Sequence, residues 1–177
     1  LLALFDSLAV PKRKFEKTAF GCFAEPGFTE LLRELRPELE PGEIQLVVAG
    51  IEAHVCVMQT VLAGCAQGFP VQVVWEAVSG RGAEHRELAL VRMRQAGAQI
   101  TSLESVAFEW AVHKDHPSFK ALSSLLKEGQ LGGDAALGLK HKAVRNLSPA
   151  WLAENSPRDA DGELRAAALR GDVIAVA

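Results

Sequence analysis

The chain carries no strong excess of charge of either sign: 19 Lys and Arg stand against 22 Asp and Glu, a formal net charge of -3 over 177 residues. Without a basic surplus there is no electrostatic basis for binding nucleic acid or an anionic membrane surface. No apolar run reaches the roughly 18 residues needed to span a bilayer. The start of the sequence lacks the charged n-region and apolar h-region of a leader. Cysteine is scarce and odd in number, Cys22, Cys56 and Cys65, which argues for a reducing, cytoplasmic compartment. Internal repeats are absent too. These absences leave a globular chain whose expected partner is a small-molecule substrate, with no nucleic acid and no membrane.

What is present is enough for a core. Hydrophobic residues make up 49% of the chain and charged residues 23%, the proportions of one globular domain. Ile44 to Gly50 reads IQLVVAG, a short continuous apolar run that predicts a strand buried on both faces in a parallel sheet. A helix from about Ala53 to Gln67 follows, stopped by Gly68 and Pro70. Val71 to Val78 is the next strand, Ala83 to Gln95 an amphipathic helix closed by Gly97, and AQITSLE a further strand. This alternation predicts an α/β, three-layer Rossmann-like fold with a mostly parallel sheet flanked by helices.

Upstream, Leu31, Leu32 and Leu35 at helical spacing predict a short helix capped by Thr29 and ended by Pro37. The preceding stretch reads as a loop that dips inward at Phe20 and Phe23. Residues 105–128 read as helical with a break near Asp115 to Pro117. The glycine-rich GQLGGDAALG then opens a C-terminal extension over 129–177, distinct from the domain at 1–128. The closing DVIAVA could add an edge strand or reach a neighbouring subunit, which with the resemblance described below leads us to expect a homo-oligomer.

Cys56 carries the chemical interest. It sits where the helix after the strand Ile44 to Gly50 begins, and free backbone N–H groups at a helix start favour a thiolate. In parallel α/β sheets ligands bind beyond the carboxyl ends of strands, which is where this turn lies. Cys65 shares the helix, but at about 100° per residue the two cysteines fall on opposite sides, too far apart to bridge. Cys22 and Cys65 read as core residues.

The segments GIEAHVCV, EAVSGRGAEHRELALVRMRQAGAQITSLESVAFEW and KDHPSFKALSSLLKE, in this order, resemble the isochorismatase-like cysteine hydrolase superfamily, which includes nicotinamidases and other amidases. The resemblance runs from about Phe15 to about Glu128. It implies that Cys56 is the nucleophile, at the end of the turn Gly50-Ile51-Glu52-Ala53-His54-Val55-Cys56. It also implies a cis peptide between Ile51 and Glu52, with the backbone N–H groups of Glu52 and Cys56 forming an oxyanion hole. The family's lysine matches Lys17 in Lys17-Thr18-Ala19-Phe20-Gly21, a positive charge beside the thiol.

The family aspartate stands in an apolar-D-x-Q strand that has no match here. Asp6 is left as the general-base candidate, although no glutamine follows it and it lies only a short way before Lys17. The segment holding the family's first strand is accordingly expected to be missing. His113 and His116 lie beside Pro117 without cysteines or paired carboxylates, so no metal is expected, and no cofactor. Phe20, Phe23, His54, Trp75 and Trp110 are the aromatic candidates to line a pocket. The function that follows is hydrolysis of a C–N bond in a small amide through a Cys acyl-enzyme. The alternative is a catalytically inactive or redox-sensing member that acts as an interaction protein.

Overall fold

A computed structural model describes residues 13–127 and the segment 173–175, whose backbone alone is described. A short 3-10 turn at Cys22–Ala24 leads into helix α1, Phe28–Leu35. Strand β1, Leu46–Ile51, is followed by a single π-helical turn, Ala53–Val57, that runs on into α2, Met58–Ala66. Next come β2 (Val71–Ser79), α3 (Ala83–Gln95) and β3 (Gln99–Thr101). Helices α4, Leu103–Ala111, and α5, Phe119–Lys127, follow, and β4, Val173–Ala175, completes the described residues.

The four strands form one parallel sheet in the order β3-β2-β1-β4. Side chains alternate across it, as a period of two requires. Leu46 and Val48 of β1 join Val71, Val73 and Val78 of β2 in the larger core, with Phe28 and Leu32 of α1, Val57 and Val61 of the π-turn and α2, and Ala89 and Met93 of α3. Val47 and Val74 point the other way and pack with Val106 of α4. Helices therefore cover both faces, and the fold is the three-layer α/β sandwich expected from the buried apolar runs.

Three local expectations need correction. Thr29 does not cap α1: Gly27 does, with φ 87, and Thr29 lies one residue inside the helix with its hydroxyl bonded to Gln67 Oε1 at 3.3 Å. Only a glycine takes that left-handed entry at little cost. Phe20 does not dip inward but is 63% exposed, while Phe23 packs on Phe28 and Phe69. Helix α3 buries Arg86, Ala89 and Met93 and leaves apolar Leu88 and Val91 outside, so its stripe is not the one hydrophobicity marks. The DVIAVA segment takes the first of its two expected roles: Val173 to Ala175 lies parallel to Val47 to Ala49 and adds an edge strand to the sheet. The 128/129 boundary and the rest of the extension lie outside the described residues.

The buried arginine explains an irregularity of the sheet. Between Val48↔Val73 and Gly50↔Val78 the register slips, so β2 bulges and its carbonyls leave the ladder. Arg86 fills the gap. Its Nε donates to Val78 O at 2.8 Å, an η-nitrogen donates to Trp75 O, and the guanidinium lies 5.4 Å from the Trp75 ring centroid. Among the described residues no helix is long and apolar enough to cross a membrane.

Candidate functional site

The carboxyl end of β1 turns sharply into the first helical turn. Ile51–Glu52 is a cis peptide bond, and Glu52 caps the π-turn, its carbonyl accepting the Val55 and Val57 N–H groups at 3.0 and 3.2 Å. Cys56 lies in that turn, half-buried, immediately before α2. The backbones of Glu52 and Cys56 thus belong to one turn at the end of an interior strand, where a substrate can approach from beyond the sheet.

Lys17 stands on the segment leading into the 3-10 turn. Its Nζ donates to Ala19 O at 3.2 Å and Phe20 O at 3.1 Å, which curls the segment around the ammonium. Glu25 closes the curl from the other side: Oε1 accepts the backbone N–H groups of Thr18 and Ala19 and the Thr18 hydroxyl. The amides of Ala19 and Thr18, then the hydroxyl, hold the Glu25 carboxyl below its ordinary range, with a smaller contribution from the Lys17 charge.

Thr60, which sequence reading passed over, joins this loop to the Cys56 turn through Cys22, which lies in the core as expected. Cys22, 6% exposed, donates its N–H to Thr60 Oγ1 at 3.0 Å. The same hydroxyl donates to Cys56 O at 2.8 Å. Burial pushes the Cys22 thiol up, opposed by the nearby Thr60 hydroxyl and by the Lys17 charge and reinforced by the neighbouring Cys56. Cys22 thus lies near enough to feel both the Lys17 charge and the Cys56 thiol. Thr60 had a readable signal, since four residues after Cys56 it lies on the same helix face. Its second partner is 38 positions away in sequence, and nothing local announces it.

The Glu52 side chain turns to the loop between β2 and α3. Oε1 meets Arg81 Nε at 3.0 Å and Oε2 lies 3.7 Å from His54 Nε2. The His54 ring stacks on His85, centroids 4.9 Å apart and 18° from parallel. His54, Arg81, Gly82 and His85 line an open cleft of about 380 Å³. Of the aromatic pocket candidates only His54 lines it. Phe23 packs in the main core, Trp110 against the smaller one, and Trp75 under Arg86. Asp6 lies outside the described residues. Among the described residues no group of three His, Cys, Asp or Glu could hold a metal ion, and all three cysteines are free thiols.

Comparison with known proteins agrees with the architecture. The family model described as Isochorismatase domain matches residues 2–105. The secreted isochorismatase effector Isc1 of Phytophthora sojae is 41% identical over 109 residues, covering 60% of this chain and 52% of that protein. Isochorismatase domain-containing protein 1 of Danio rerio is 36% identical over 107 residues, 59% of this chain and 38% of the relative. The MAR1 ribonuclease structure from Caenorhabditis elegans superposes with a TM-score of 0.60 at 33% identity, covering 72% of this chain and 62% of that one. The chain spans about half or less of the length of these two curated relatives.

Proposed function

The chain belongs to the isochorismatase family, and from that membership we propose that it is a cysteine hydrolase cleaving the C–N bond of a small amide through an acyl-enzyme on Cys56. Members of the family are generally hydrolases, and the finer chemistry is our reading of the site. The observation that carries it is the juxtaposition of the Cys56 turn and the Lys17 loop at the carboxyl end of β1, joined through Thr60 and Cys22.

In this reading the Cys56 sulfur adds to the amide carbonyl carbon, and the oxyanion is received by the backbone N–H groups of Glu52 and Cys56. The Lys17 ammonium stabilises the developing negative charge. The C–N bond breaks as the thiol proton passes to the departing nitrogen through a general base, for which Asp6 is the candidate. Water then adds to the thioester, releasing the carboxylic acid and restoring the thiol. No metal or cofactor enters these steps.

The test is release of ammonia or amine from a panel of small amides, nicotinamide included. Turnover is expected in the wild type, and Cys56→Ala should lower it by about 10⁴-fold or more. Lys17→Ala should cost about 10²–10³-fold in kcat. The C. elegans structure is named a ribonuclease, so RNA belongs in the panel. A net charge of -3 supplies no phosphate-binding surplus, and no RNA cleavage is expected. A second reading, an inactive or redox-sensing interaction protein, draws on the second thiol, Cys22, lying beside the Cys56 turn. It gains if Cys56 is reactive and no amide in the panel is turned over.

A further inference from the structure

A threonine in a helix commonly returns its hydroxyl proton to the carbonyl four residues back, and Thr60 does so to Cys56 at 2.8 Å. What is uncommon is the other side of that oxygen. The hydroxyl has one proton, already given to Cys56 O, and its lone pairs are free to accept. They accept the N–H of Cys22, at 3.0 Å, from a different segment of the chain. Thr60 is 2% exposed, so water does not stand in for either partner, and an orphaned amide there would carry its full desolvation cost.

The surrounding packing is shaped for this contact. Gly21 lies so close to α2 that a Cβ on it would sit 3.1 Å from Gln59 Cβ and 3.2 Å from the Gln59 backbone carbon. One turn further along α2, a Cβ on Gly64 would meet the Phe23 ring at 3.0 Å. The loop is thus held on the helix at two levels, by backbone approach at Gly21 and by the Phe23 ring at Gly64. Thr60 supplies the polar bond between them. Upstream the loop is internally braced: Lys17 holds the carbonyls of Ala19 and Phe20, and Glu25 holds the amides of Thr18 and Ala19. A loop braced in this way moves as a unit, so where Cys22 is fixed, Lys17 is fixed.

We propose that Thr60 is a positioning residue, whose hydroxyl, bonded at once to the Cys56 carbonyl and the Cys22 amide, sets the Lys17 loop in register with the Cys56 turn. It touches neither substrate nor reacting atoms and acts through Cys56, which carries the reacting sulfur, and through Cys22, which anchors the Lys17 loop. The proposal rests on the reading of Cys56 and Lys17 given above.

The experiment uses the full chain as wild type, Thr60→Val, Thr60→Ser, Lys17→Ala and the double variant Lys17→Ala/Thr60→Val. Two quantities are read: hydrogen exchange of the Cys22 amide, and the rate at which iodoacetamide modifies Cys56, followed by peptide mass. Thr60→Val keeps the shape and removes the bond. It should speed exchange at Cys22 by about tenfold and slow Cys56 modification by about tenfold, the loss of one buried hydrogen bond. Lys17→Ala should slow Cys56 in the wild type and add nothing in the Thr60→Val background, because the ammonium is already out of place. Thr60→Ser should restore both quantities.

Unchanged Cys22 exchange in Thr60→Val overturns the proposal. So does an equal Lys17→Ala effect in both backgrounds. If Lys17→Ala changes nothing even in the wild type, the functional reading of Lys17 fails and the coupling claimed for Thr60 falls with it; the Cys22 exchange then reports separately whether the loop is held. Should Thr60→Val fold poorly, Gly21→Ala crowds the same contact from the loop side and takes its place in the comparison.

Discussion

Burial pushes the thiols of Cys22 and Cys65 above their ordinary value of 9.0, and this has a direct consequence for stability. A group whose folded pKa is raised binds more protons folded than unfolded once pH passes the unfolded value. Its contribution is therefore full below about pH 9 and is lost as pH rises through the folded value. The urea midpoint should fall between about pH 8 and pH 10, and the fall should shrink in Cys22→Ala and Cys65→Ala. Glu25 has the opposite sign. Its carboxyl is held low by the amides of Ala19 and Thr18, so the loop it braces should loosen as acid protonates it, seen as faster amide exchange at Thr18 and Ala19. At this scale Cys56 was legible in sequence because a cysteine after a buried apolar run is a local pattern. Thr60 was legible only in its pairing with Cys56 four residues back; its bond to Cys22 depends on how the loop docks on α2, and the hold of Glu25 on Thr18 and Ala19 on how the loop itself folds.

Continuous apolar runs announced β1 and β2, and the structure has them near the expected limits. The bulge between them was unreadable, since a register slip depends on what fills it. Arg86 fills it, and an arginine in a sequence stripe argues for the surface. Removing it would leave the Trp75 and Val78 carbonyls without their donor in a buried place. Arg86→Ala should cost about 3 kcal/mol, read as a lowered urea midpoint with an unchanged slope. Gly64 makes the companion case in α2. Gly64→Ala gains helix propensity but drives a methyl against Phe23 and Val71. Overpacking should win, with a net loss of about 1 kcal/mol measured by the same unfolding curves.

The whole molecule presents a parallel sheet covered on both faces, with the candidate site at the carboxyl end of β1. The general-base candidate, Asp6, lies outside the described residues, and the sequence holds no D-x-Q triplet. We propose that the chain forms a homo-oligomer. Exposed Leu88 and Val91 on α3 provide apolar surface for a second copy, and light scattering should give a mass of at least twice 19.0 kDa; a monomer mass at micromolar concentration would contradict it. The central claim, a nucleophilic Cys56 beside Lys17, is tested most directly by timed iodoacetamide labelling of the native chain, with each cysteine followed separately. Cys56 should be modified in the folded protein faster than Cys22 or Cys65, and Lys17→Ala should slow it. If Cys56 is modified only after unfolding, along with the other two, it is a core residue and the hydrolase reading is wrong.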